Sequence, residues 1–267
     1  MSDSPSPAEM ISKIRLRWWF GRLLPTSVLC NILKSISILG EVHMRANATL
    51  LLVVLLAFLA HAQERPPVRK VQVGEKPGVW LEVAGPIRRV LIDAEVVKRE
   101  GELEEFLCRS KTKEHESILK ADIDARDAHK ALLLAGVESG APVRFDPIYK
   151  AASGGRVRVL VRLTGDDGKV TEVSARSWIK QRKTGKELDS DWVFAGSKIL
   201  DDQNTPGRKL YLANDGDVIC LSNFDTAMLD LPVASSKDNG NLDFEAWTER
   251  IPKLGTKVTV VLEAAKK

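Results

Sequence analysis

Beyond residue 70, apolar and polar positions alternate with a period of two in short runs broken by glycine, proline and small polar residues, which predicts a mainly β protein. Residues 80–83 and 88–97 read as the first strands, turned at Gly85 and Pro86. Residues 103–108 and 115–121 read as a hairpin around 110–113. Val157, Val159, Val161 and Leu163 fall on one side of a run whose other side carries Arg156, Arg158 and Arg162, the pattern of a half-buried strand. That strand turns at 165–168 and returns over 170–178, and later strands are expected near 192–195, 209–212, 217–221 and 256–262. A helical period is clear once, at about 124–136: Asp124 can cap the first turn, Ala128, Ala131, Leu132 and Ala135 share a face, and Gly136 can end it. A short second helix is expected near 244–250. The fold class predicted is α+β, a predominantly antiparallel sheet with one clear helix and no regular strand–helix alternation.

The first 62 residues follow a different pattern. From Met44 the order is Arg45, an apolar run over 50–59, then Ala60, His61 and Ala62 before polar Gln63, the three parts of an export signal. An apolar run of about ten residues is half the roughly twenty needed to cross a bilayer as a helix, so removal after Ala62 is expected, with an uncleaved membrane anchor over 48–62 as the alternative. Export places the chain in the periplasm or outside the cell and limits membrane contact to the signal, unless that segment is retained. Residues 1–43 precede the signal, where a chain normally has none. Either Met44 is the true start and 1–43 is a mis-assigned beginning, or the extension is real and its Arg15, Arg17, Arg22, Trp18, Trp19 and Phe20 suit a membrane surface. Residues 63–70, with Pro66 and Pro67, read as a flexible segment, and 71–267 as the folded part, either one body or two lobes at 71–150 and 155–267.

Charge narrows the partners. The chain carries a net +4, but Lys13, Arg15, Arg17, Arg22, Lys34 and Arg45 outnumber Asp3, Glu9 and Glu41 before residue 63, so the body is close to neutral. A near-neutral body argues against nucleic acid, whose phosphates call for a clustered positive face. By the same reasoning the row Arg156, Arg158, Arg162 reads as a solvated strand face. The expected partner is an unidentified envelope or surface component.

Cys108 and Cys220 are the two cysteines of the body. In an oxidising compartment they could form a disulfide closing a loop of roughly 110 residues, worth up to about 4.7 kcal/mol on the chain-entropy view; two separate buried thiols are the equal alternative. Trp80 and Cys108 recur as Trp192 and Cys220 at the same spacing, a faint echo that chance also produces.

Candidate chemistry gathers at Cys108, Glu114, His115 and Glu116. A hairpin centred between Lys111 and Thr112 would set Cys108 opposite His115, where thiol and imidazole could touch, hold a soft metal with Glu116 or His129, or activate the thiol. The plain alternative is that Cys108 and His115 pack inward while the glutamates face solvent. His129, one position off the apolar face of the helix, reads as packed. Asn214, Asp215 and Asp217 around Gly216 lack the remaining ligands of a calcium loop and read as a hairpin turn. No catalytic residues and no cofactor are predicted, and the identity of any metal is left open. The chain has no phosphate loop, nucleophile elbow or dinucleotide fingerprint.

The runs 101–108 (GELEEFLC), 111–118 (KTKEHESI) and 129–136 (HKALLLAG), followed by 192–196 (WVFAG), 217–224 (DVICLSNF), 227–232 (AMLDLP) and 248–252 (TERIP), resemble the YdjY domain of bacterial exported proteins. The resemblance spans about 71–262. Some members carry a ferredoxin label, which implies an iron–sulfur cluster; two body cysteines far apart do not supply the four thiolates such a cluster uses, so none is expected.

Overall fold

The structure is a computed structural model describing residues 67–165, 167–236 and 241–265. The signal at 44–62 and the extension at 1–43 lie outside the described residues, as does the start of the 63–70 segment. Residues Arg65–Lys267 form one compact unit. In chain order the strands are β1 (Arg69–Gln72), β2 (Val79–Ala84), β3 (Ile87–Val96), β4 (Glu102–Leu103), β5 (Glu105–Arg109) and β6 (Ser117–Ala121). After helix α1 (Ala125–Leu134) come β7 (Arg156–Thr164), β8 (Val170–Ser174), β9 (Ile179–Gln181), β10 (Trp192–Phe194), β11 (Ile199–Asp201) and β12 (Lys209–Tyr211). The last four are β13 (Ile219–Cys220), β14 (Leu229–Asp230), β15 (Phe244–Ala246) and β16 (Lys257–Ala264).

Eight of these strands close a barrel in the order β3-β16-β7-β10-β14-β13-β5-β6, with β6 returning to β3 through Glu95↔Lys120 and Val96↔Leu119. Closure removes the unpaired edges that an open sheet would present. It relies on two long strands that fork. Ile87 to Ile92 of β3 pair with β2 and the end of the strand pairs with β6, while β16 runs along the other edge. β7 divides in the same way between β10 and β8. Strands from 71–150 and 155–267 therefore share one wall, and the two segments are not separate lobes. The sheet is mixed, because β5–β6 and β13–β14 are parallel.

Alternation explains the layers. Val157, Val159 and Val161 of β7, Val258, Val260 and Leu262 of β16, and Val90, Ile92, Ala94 and Val96 of β3 are buried in one core with Phe106, Trp178 and Trp192. On the opposite faces of the same strands, Arg158 pairs with Glu263, Arg89 Nε lies 2.8 Å from Glu263, and Arg162 reaches Glu82 and Glu172. Arg158 and Arg162 of the arginine row are thus engaged by acids: Glu263 and Glu172 stand on the strands flanking β7, and Glu82 stands on β2, beyond β16 and β3.

Helix α1 begins and ends as the sequence predicts: Asp124 accepts from the Arg126 N–H, Ala128, Ala131 and Leu132 are buried, and Gly136 sits at φ +85°. Asn214 adds to the cap, its side-chain oxygen accepting from the Ala125 N–H at 2.8 Å and its amide donating to Asp124. The 214–217 segment is accordingly no hairpin turn; its first two residues end a 3₁₀ turn over Leu212–Asp215 that completes the helix start. The second helix expected at 244–250 is instead β15 followed by a 3₁₀ turn at Thr248–Arg250, because Phe244 and Glu245 pair with β4 and β9.

The hairpin expected around 110–113 is also corrected. β5 and β6 run parallel, with Cys108 beside Lys120, so residues 110–116 carry the chain back along the length of β5. A five-residue strand is about 17 Å long, and seven connecting residues, which span at most roughly 25 Å, cover that distance with room for turns. The return starts at a tight turn: Lys111 adopts φ +66°, and the Glu114 carboxylate accepts from the Lys111 and Thr112 N–H groups at 2.5 and 2.9 Å. This path carries Lys113 and Glu116 to the start of β5, where the candidate site lies.

Candidate functional site

Glu104 and Glu105 are adjacent, and a regular strand would point them to opposite faces. A β-bulge prevents this. The N–H groups of both residues donate to the Glu116 carbonyl, at 3.1 and 3.2 Å, and the Glu104 carbonyl accepts from Leu221 and Ser222. Bulges re-aim side chains in this way. The Glu104, Glu105 and Glu116 carboxyls consequently converge, one oxygen from each lying within 4.8 Å of the others.

Lys113 enters this group from the return loop. Its Nζ lies 3.0 Å from Glu105 Oε1, 2.8 Å from Asp217 Oδ1 and 3.7 Å from Glu116 Oε1, and 4.1 Å from the centre of the Phe224 ring. Thr226 donates to the other Asp217 oxygen. Burial works against the ammonium, but Glu105 and Asp217 keep it protonated well above the ordinary lysine range. Glu105 is fully buried, and burial, outweighing the pull of Lys113, pushes its carboxyl up to about 9. Burial and the neighbouring Glu116 charge likewise raise Glu104. Glu105 Oε2 has no hydrogen-bond partner among the described residues.

A second buried acid lies on β14, next to β13. Asp230 Oδ1 accepts from the Asn223 amide at 3.1 Å and from the Leu231 N–H at 2.8 Å. Burial, against those hydrogen bonds, lifts its carboxyl to about 7. Asn223 accepts in turn from the Tyr149 hydroxyl at 3.0 Å.

The residues singled out from sequence scatter around this cage. Glu116 belongs to it. Glu114 braces the turn behind it, where burial is outweighed by backbone hydrogen bonds that hold its carboxyl low. The His115 side chain is 76% exposed, with Nε2 3.5 Å from Glu116, whereas Cys108 is fully buried; parallel pairing removes the cross-strand opposition that would have joined them. His129 packs on α1, its Nδ1 2.9 Å from the Tyr211 hydroxyl and its ring edge-on to Phe194, and burial lowers its pKa. Cys108 and Cys220 are both free and buried, so the disulfide expectation gives way to two separate thiols. Burial pushes Cys108 up to about 11 and Cys220 well above the ordinary thiol range, which keeps both protonated at neutral pH. Trp192 donates its indole N–H to the Cys220 carbonyl at 2.7 Å, whereas Trp80 bonds Asp93, so the repeated Trp–Cys spacing marks no shared arrangement.

A cleft of about 940 Å³ opens elsewhere, beside α1 and the 3₁₀ turn at Leu212–Asp215. Its walls carry the basic residues Lys76, Arg109, Arg126, Lys130, Arg208 and Lys209 against the acidic Glu75, Asp124, Asp127 and Asp215. Arg109 is fixed by the carbonyls of Ile123 and Asn214. Arg126 clasps Asp124; burial opposes that carboxylate, but hydrogen bonds from Arg126 and Asn214 hold it far below the usual range.

Set against models of known protein families, the chain matches the YdjY domain over residues 81–263. The chain belongs to the YdjY family. That match covers the barrel from β2 to β16 and includes both the cage and most of the cleft. Among curated proteins and among solved structures, nothing matches. No described helix of this YdjY domain is long and apolar enough to cross a membrane.

Proposed function

We propose that this YdjY domain is an exported, non-enzymatic binding domain that holds an anionic component of the envelope or cell surface in the cleft beside α1. The observation that carries this reading is the excess of basic over acidic side chains lining one concave surface of a near-neutral body. Arg126, Lys130, Arg208 and Lys209 are all more than half exposed at their side chains. Exposed ion pairs are worth about 0–1 kcal/mol each, so a polyanion can exchange for the acidic partners at little cost. The apolar run at 50–59 followed by Ala60-His61-Ala62 supports the exported setting. Activity centred on Cys108 and His115 finds less support, because the thiol is buried and protonated while the imidazole faces solvent.

The test is retention of envelope extract on the immobilised chain, compared with an Arg126→Glu/Arg208→Glu variant. The expected result is an anionic component held by the native chain, released as salt rises, and reduced at least tenfold in the variant. Equal retention by both chains, or none above background, would contradict the proposal.

A further inference from the structure

Between α1 and β7, residues 141–153 form an arm with a seated base and an unseated apex. Two cross-strand pairs define it: Ala141 and Ser153 exchange both backbone hydrogen bonds, at 3.0 and 2.9 Å, and so do Arg144 and Lys150, at 3.0 and 2.8 Å. Val143 and Ala152 are buried with Val193 of β10 and Ala195, and the Tyr149 hydroxyl is held by Asn223. Past that base, Ile148 is 78% exposed, Phe145 47% and Tyr149 41%, three large apolar side chains within five consecutive positions. Single exposed apolar residues are ordinary; a contiguous set marks a contact surface.

Charge is a second, independent observation. Residues that exchange both hydrogen bonds stand directly opposite each other, and like charges there repel. Arg144 and Lys150 occupy such a pair, both are exposed, and among the described residues neither has an ion pair. Asp146 is the only acid of the arm, which stays net positive. The neck thus carries a repulsion that the fold leaves unrelieved and that an anionic surface relieves.

We propose that this arm docks the domain on an anionic lipid bilayer, with Phe145, Ile148 and Tyr149 entering the edge of the hydrocarbon and Arg144 and Lys150 meeting the lipid phosphates. Ile148 lies two residues past the cationic pair, at most roughly 7 Å further along the arm. Interfacial apolar groups sink by a similar depth, roughly 5–10 Å. An apolar apex on a cationic neck matches hydrocarbon beneath anionic headgroups, and a tyrosine ring suits the boundary between them. No residue of the arm lines the cleft beside α1, so this contact is separate from the one proposed there.

The experiment floats the Arg65–Lys267 unit, which carries the whole closed barrel, with vesicles of phosphatidylcholine containing phosphatidylglycerol. Leaving out residues 1–64 removes the apolar run at 50–59 as a competing lipid anchor. The expected result is binding that falls at least tenfold in Ile148→Asp, in Arg144→Glu/Lys150→Glu, and on vesicles of phosphatidylcholine alone. All three positions are exposed, and circular dichroism checks that each variant folds. No binding to the mixed vesicles, or equal binding to both kinds, would overturn the proposal. So would full binding by a folded Ile148→Asp; loss in Arg126→Glu/Arg208→Glu alone would then assign the lipid to the cleft. Retention of an envelope protein through Ile148, with no vesicle binding, would give the arm a protein partner instead.

Discussion

Replacing Lys113 with methionine is expected to destabilise the domain by about 3–5 kcal/mol near neutral pH, the cost of removing one partner from a buried ion cluster. Methionine keeps much of the stem volume, so the loss reports charge more than packing. In the variant, Asp217, Glu104 and Glu116 face one another with no ammonium between them. Their carboxyls should then protonate more readily in the folded chain than in the unfolded one. A group whose folded pKa is raised contributes stability that is present below its unfolded pKa and is lost as pH climbs through the folded value. The deficit of Lys113→Met should therefore shrink below about pH 4.5 and be largest at neutral pH and above. Urea unfolding of both chains at about pH 4 and about pH 7.5 reads this directly, and an equal deficit at both would contradict it.

The same sign applies to the native chain. Glu105 at about 9 and Asp230 at about 7 both lie above their ordinary values, so their contributions are full under acid conditions and fade between about pH 4 and 9. Asp124, Glu95 and Asp122 oppose this trend, since their carboxyls are held low and their contributions disappear as pH falls through those lowered values.

Replacing Trp192 with alanine should cost about 3–5 kcal/mol, because a fully buried indole leaves a cavity that the barrel wall cannot close. The ring lies 6.0 Å from Phe106 between the β7 and β14 neighbours of β10. Trp192→Phe separates two contributions: it keeps most of the apolar volume and removes the donor to the Cys220 carbonyl, for an expected loss of about 1–3 kcal/mol. Denaturant midpoints at unchanged slope measure both, and a Trp192→Phe variant as unstable as Trp192→Ala would show that the hydrogen bond dominates instead.

Local signals in this chain were legible and non-local ones were not. The helix could be placed because Asp124 and Gly136 act on their own neighbours, and β7 because its valines and arginines alternate along one strand. Barrel closure rests on Val96 meeting Leu119 across the chain, and no local pattern encodes that meeting. The return loop reads as a hairpin turn in the sequence because short polar segments look alike in both settings. For the cage, a clue was present: Glu104 and Glu105 stand side by side within Leu103–Leu107, where a period of two would turn only one of them inward. Two adjacent acids in such a run point to a bulge. Asp217 gave no such sign, since it borders an apolar run as turn residues do, whereas Asp230 stands inside one, between Leu229 and Leu231.

The bulge and the return loop bury Glu105 among acids beside Lys113. Carbon-13 NMR of the glutamate carboxyls across a pH titration tests it most directly. One resonance, absent from Glu105→Gln, should titrate near 9. A spectrum in which every glutamate has finished titrating by about pH 6 would contradict the account.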